Sequence, residues 1–193
     1  MENREIRAAI FLADGCEEIE ALTPVDLCFR AGVHLDKISI QETPSVTSSH
    51  GLTFQADRTV ADADLDAYDM LILPGGMPGT MNLKACGKLC DAVVRADRAG
   101  KWLAAICAAP SVLGDLGLLK GRRATCNPSW EEKVAAAGAV LTHEAVTVDG
   151  NIITSQGMGT STPFALTILC ALQGKDAAEA MAKKIVWHST ADE

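Results

Sequence analysis

The chain has 193 residues, 48% apolar and 22% charged, the balance of a soluble globular protein with one full hydrophobic core. Its formal net charge is −8 and its Lys and Arg residues are scattered, which argues against nucleic acid or an anionic membrane as the main partner. No apolar run approaches the roughly 18 residues of a membrane span, and the stretch Met1–Arg7 is polar without a signal-peptide core, so the expectation is a cytoplasmic protein.

Strand and helix patterns alternate along the chain. Ile6–Ala13 reads as a strand ending at Asp14-Gly15. Glu18–Ala31 reads as a helix with apolar residues at Ile19, Leu22, Val25, Leu27 and Phe29, stopped by Gly32. Val33–Gln41 is a second strand, and Pro44–Phe54 a hairpin-like excursion. Met70–Leu73 is a buried strand ending at Pro74-Gly75-Gly76. Two helices are expected between Gly79 and Ala99. Lys101–Ile106 is a strand, and a helix opens at Ala108. Ala124–Cys126 is a short strand and Pro128–Ala137 a helix. Val140–Leu141, Val146–Val148 and Ile152–Thr154 read as strands, the last two joined by the turn Asp149-Gly150-Asn151. Helices are expected from Thr160 to Gln173, with Pro163 early in the first turn, and over Ala177–Val186. With no linker or repeat, this predicts a single α/β domain over 1–193, doubly wound, with helices on both faces of a mostly parallel sheet.

Cys107 stands at the junction of strand and helix. A nucleophile on such a sharp turn is pushed out at the carboxyl end of the sheet, and the helix N-terminus behind it is expected to favour the thiolate. The loops Asp14–Glu20 and Pro74–Gly76 end other predicted parallel strands and converge on the same crevice. Glu17 and Glu18 fit the helix dipole. Glu20, one turn further in, is placed either there or facing the crevice, where a protonated acid can donate to a thiolate. Backbone N–H groups of the Gly75-Gly76 pair and of Ala108 are candidates for an oxyanion hole, against the plainer reading of a turn. Gly157–Ser161 reads as a capped helix start rather than an anion cradle.

The seven cysteines, 16, 28, 86, 90, 107, 126 and 170, show no zinc spacing, and no metal or other cofactor is expected. No histidine follows Cys107. His34, His50, His143 and His188 read as surface or satisfied histidines, although His50 lies in the excursion that could fold over the crevice.

Four segments carry a resemblance: Asp14-Gly15-Cys16-Glu17-Glu18-Ile19-Glu20, Leu73-Pro74-Gly75-Gly76, Ala104-Ala105-Ile106-Cys107-Ala108-Ala109-Pro110 and Thr154-Ser155-Gln156-Gly157-Met158-Gly159-Thr160-Ser161. Together they resemble the ThiJ/PfpI family, in the branch of the parkinsonism-associated protein deglycase and its bacterial chaperone-like relatives. The resemblance implies a flavodoxin-like homodimer. It implies Cys107 as an oxidisable nucleophile, Glu20 as the protonated acid bonded to it, and Gly76 and Ala108 as oxyanion donors. Arg30 would lie near the dimer interface and the site, with His50, Asn127 and Cys16 lining one or the other. Two positions depart from the branch. Asn127 stands in Thr125-Cys126-Asn127-Pro128 where some members carry a histidine, and it cannot act as a base at neutral pH. His50 stands where the branch often has arginine.

The resemblance implies defence against carbonyl and oxidative stress. The activity would be glyoxalase III-like or deglycase, acting on methylglyoxal, glyoxal and their adducts. The alternatives are a redox sensor or chaperone in which Cys107 becomes a sulfinic acid, with Cys16 or Cys126 as a possible resolving thiol, and a thiamine-metabolism protein, for which no residue specifies a thiazole pocket.

Overall fold

The apolar runs of the sequence become central strands because helices cover the sheet on both faces. The computed structural model describes residues 6–188; Met1–Glu5 of the polar N-terminal stretch and residues 189–193 of the 1–193 domain lie outside the described residues. In chain order the elements are β1 (Arg7–Leu12), α1 (Glu18–Ala31), β2 (His34–Ser39), β3 (Ser45–Thr47), β4 (Thr53–Gln55), β5 (Arg58–Thr59), β6 (Met70–Leu73), α2 (Gly79–Ala85), α3 (Gly87–Arg98), β7 (Trp102–Ile106), α4 (Pro110–Asp115), β8 (Arg123–Ala124), α5 (Glu131–Ala136), β9 (Val140–Leu141), β10 (Val146–Asp149), β11 (Ile152–Ser155), α6 (Ser161–Gln173) and α7 (Lys175–Lys184).

The main sheet has seven strands in the order β10-β11-β7-β6-β1-β2-β5. All pair in parallel except β10, which forms an antiparallel hairpin with β11. Leaving out the edge strands β10 and β5, the parallel strands run β2-β1-β6-β7-β11, the flavodoxin-like order. The strand order reverses between β1 and β6, so a crevice opens there beyond the carboxyl ends. Side chains alternate between two cores. Phe11, Leu71, Leu73 and Leu103 pack with Leu83, Leu89 and Val93 on one face. Ile10, Leu12, Met70 and Ile72 pack with Leu27, Phe164 and Leu169 on the other.

Three expectations change. Of the apolar positions of α1, Leu27 is buried but Ile19, Leu22 and Phe29 are exposed, so they do not form its buried face. Glu20, Ala21, Pro24, Leu27 and Cys28 form the buried face, because α1 packs on β1 and β2 on one side and against α6 on another. The helix expected over Pro128–Ala137 is a 3-10 turn, Pro128–Trp130, followed by the shorter α5. The strand expected over Ala124–Cys126 stops at Ala124. Beyond it, Thr125 donates its N–H to the Thr154 hydroxyl and Asn127 donates to the Cys107 carbonyl, so those groups never join a ladder.

Candidate functional site

Cys107 follows β7 directly and adopts a left-handed conformation, φ 66°, which a β-carbon makes costly. Bonds on both sides hold the strained residue. Its N–H donates to the Ser155 carbonyl at 2.9 Å, and its carbonyl accepts from the Asn127 N–H at 2.9 Å. The thiol is half-buried at the switch point.

Three loops supply its neighbours. Glu20 stands in the first turn of α1 and is 1% exposed. Its Oε2 accepts from the Gly75 N–H at 3.0 Å, and the Met158 N–H and the Cys107 side chain also hydrogen-bond to it. Only glycine fits at position 75, since a β-carbon there would lie 2.5 Å from Glu20 Oε2 and 2.6 Å from Cys107 Cβ. The N–H groups of Gly76 and Ala108 point at the sulfur. From the fourth side, the β-carbon position above Gly157 is 3.9 Å from Cys107 Sγ, 3.8 Å from Glu20 Oε1 and 3.5 Å from Asn127 Nδ2.

The thiol and the acid control each other's protons. Burial, then the charge and hydrogen bond of Glu20, push Cys107 up to about 12, against the pull of the Ala108 and Gly76 N–H groups. Burial raises Glu20 to about 7, although the bonds from Cys107, Gly75 and Met158 pull it down. The helix start behind Cys107 was expected to favour the thiolate. The Ala108 N–H at that turn pulls in this direction, while burial and Glu20 push the thiol further the other way. Between the two values the pair holds one proton. A thiolate then forms by moving that proton to Glu20, without a change in net charge.

The other candidates lie apart from this cluster. Glu17 caps α1, accepting from the Glu20 N–H at 2.7 Å. The β3–β4 hairpin docks on the Asp14–Cys16 loop, through the N–H of Ser49 to the Cys16 carbonyl and that of Gly15 to the Thr47 carbonyl, each at 2.8 Å. His50 thereby reaches Glu18 at 2.9 Å rather than Cys107. Glu18 holds the His50 ring above its ordinary pKa. Glu17, Glu18 and His50 are the one grouping among the described residues whose ligand atoms lie close enough for a metal, within 4.8 Å, but capping and pairing already occupy them.

Arg30, expected near the site, lies about 15 Å along α1 from Glu20. It pairs with Asp26 at 2.7 Å beside a separate groove. Ten residues of helix separate it from the crevice, so its own chain does not bring it there. Cys16, expected to line the site or an interface, is fully buried. Cys126 is also fully buried, in the core on the face of the sheet opposite to the one Cys107 packs on. All seven cysteines are free. The Met158 N–H was not among the sequence candidates. The 3-10 turn Met158–Thr160, closed by the Gly157 N–H on the Thr160 hydroxyl at 3.1 Å, aims it at Glu20.

Residues 6–171 match the DJ-1/PfpI family. The Arabidopsis thaliana "Protein DJ-1 homolog A" is 37% identical over 87% of this chain; the chain spans only 43% of that relative's length. The crystal structure of Drosophila melanogaster DJ-1beta superposes with a TM-score of 0.91 at 31% identity, covering 96% of this chain and all of that one. A Caenorhabditis elegans protein named "Glutathione-independent glyoxalase DJR-1.2" is 28% identical over 89% of this chain and 91% of its own length.

Proposed function

This chain belongs to the DJ-1/PfpI family, and we propose on that premise that it is a cofactor-independent glyoxalase acting on small dicarbonyls and their early adducts through Cys107 and Glu20. The observation that carries the reading is the meeting of a strained cysteine, a buried acid and two N–H donors at one point. The relative named as a glutathione-independent glyoxalase supports the same chemistry.

The steps use only this proton pair and water. The Cys107 thiolate adds to the aldehyde carbon of methylglyoxal, and the carbonyl electron pair moves to oxygen, which takes the Glu20 proton. The Ala108 and Gly76 N–H groups face that oxygen as its charge develops. Glu20, now a carboxylate, removes the hydrogen from the same carbon and returns it to the neighbouring one. The hydroxyl proton of the first carbon passes to the oxygen of the second. The product is a lactoyl thioester, which water cleaves to lactate and the free thiol. We expect Cys107→Ser to abolish lactate formation from methylglyoxal without glutathione; retained turnover in that variant sinks the reading.

A second reading has support in the same geometry, because the donors and the acid around Cys107 suit sulfinate oxygens as well. Intact-mass measurement after mild peroxide separates the two. A stable gain of two oxygens mapped to Cys107, with no lactate formed by untreated protein, favours a sensor. The reading includes a homodimer, supported by Ile19, Leu22 and Val186, which stay exposed along one groove of about 540 Å³. Sedimentation at monomer mass would remove that part.

A further inference from the structure

Asn127 is the side chain at the crevice that the steps above leave unused. It follows β8 and opens the 3-10 turn Pro128–Trp130, whose N-cap it forms. Its Oδ1 accepts from the Ser129 N–H at 3.0 Å, which fixes which end of the amide is oxygen. Its own N–H is tied to the Cys107 carbonyl at 2.9 Å, so its position follows the nucleophile's. The Nδ2 group therefore faces away from the turn. It has no partner among the described residues. It lies 3.5 Å from the same point that is 3.9 Å from Cys107 Sγ and 3.8 Å from Glu20 Oε1.

We propose that the Asn127 side-chain N–H is the donor for the second oxygen of a vicinal dicarbonyl, making this amide a catalytic and specificity-determining residue of the site. The proposal rests on the glyoxalase reading. When Glu20 takes the hydrogen from the first carbon, the bonding pair forms a double bond to the second carbon. The carbonyl pair of that second carbon moves onto its oxygen, giving an enediolate. In the proposed steps Gly76 and Ala108 serve the first oxygen, so the new charge needs another donor. Asn127 Nδ2, Cys107 Sγ and Glu20 Oε1 all border the space in front of Gly157, the side on which the second carbon of a thiol-bound dicarbonyl can be met by this amide.

The donor is neutral, so it does not titrate where a histidine would. It strengthens as charge develops on the oxygen, and it acts on kcat more than on KM. A monoaldehyde has no oxygen to place there and gains nothing from it.

The test uses Asn127→Asp and Asn127→Ala, with wild type as reference. Asp keeps the oxygen that caps the turn and deletes the donor. Ala deletes both and adds no charge. Both variants should lose about 10²-fold in kcat for lactate formation from methylglyoxal, with KM little changed. In Asn127→Ala, which adds no charge near the thiol, Cys107 modification by methyl methanethiosulfonate, which has no carbonyl, should proceed at the wild-type rate when followed by peptide mass mapping. If wild type forms no lactate, the glyoxalase reading fails and takes this inference with it. Should wild type turn over while both variants stay within about threefold of it, the donor role alone is overturned. Equal slowing of both reactions also overturns it, since Asn127 would then only hold the Cys107 turn.

Discussion

Glu20 and Asp36 are both buried carboxylates, 1% and 6% exposed, and their surroundings drive them in opposite directions. Asp36 sits in β2 opposite Ala9 of β1. It accepts from the Tyr68 hydroxyl at 2.5 Å and from Arg7 at 3.2 Å, and lies 3.1 Å from His34 and 3.4 Å from Arg58. Burial alone would raise its pKa, but the Tyr68 bond and the charges of His34 and Arg58 hold it below the ordinary value. Among the described residues, no cation acts on Glu20. Its partners are N–H groups and a thiol, so burial wins and it rises to about 7. A carboxylate surrounded by cations is a structural anion. One surrounded by dipoles and a sulfur can exchange its proton near neutral pH, as an acid–base catalyst must.

The largest expected effect breaks this contrast at the chemistry. Glu20→Gln should lower lactate formation from methylglyoxal by about 10²- to 10⁴-fold, while Asp36→Ala leaves turnover per folded molecule unchanged. Wild-type turnover in Glu20→Gln would put both acids in the structural class. Stability comes next. Asp36→Ala should cost about 2 kcal/mol in urea unfolding at pH 7, because the buried Tyr68 hydroxyl loses its acceptor while the partly exposed Arg7 and Arg58 can turn to water.

The pH dependence sharpens the comparison further. Glu20 is raised from 4.5 to about 7, so between those values the folded state keeps a proton that the unfolded chain releases. Its contribution is most favourable below 4.5 and is lost as pH rises through 7. The stability of Glu20→Gln relative to wild type should therefore grow from pH 4.5 to pH 8, by on the order of 3 kcal/mol at most. Asp36 works the other way: its stabilisation is present above 3.8 and is lost only as pH falls through a lower folded value. A flat difference for Glu20→Gln between those pH values would mean the carboxyl is already ionised when buried. The smallest effect is expected at Arg30. Its pair with Asp26 is exposed, so Arg30→Ala should leave both melting temperature and turnover unchanged.

Much of the fold was legible along the chain. Apolar runs ending at Asp14-Gly15, Pro74-Gly75-Gly76 and Cys107 marked parallel strands whose loops meet at a switch point. The Cys107 turn was visible because the strand pattern ends at Ile106 and the helix pattern opens at Ala108, although α4 itself starts only at Pro110. Glu20 also had a local signal, since positions 20, 24, 27 and 28 share one helix face and the other three are Pro24, Leu27 and Cys28. The more apolar face, with Ile19, Leu22 and Phe29, masked it.

The sequence by itself determined the alternation of elements, the order of the loops around the crevice and the position of the nucleophile, because these depend on periodicity and turn residues within a few positions. Only the tertiary structure decided where the protons sit. Cys107, Glu20, Gly75, Asn127 and Met158 come from five separate segments. A pKa depends on burial and on dipoles within a few ångströms, whichever part of the chain supplies them. The same holds for the free end of Asn127 and for the cations around Asp36. Composition offered two acids in two amphipathic segments, and three-dimensional packing made one a fixed anion and the other a proton carrier.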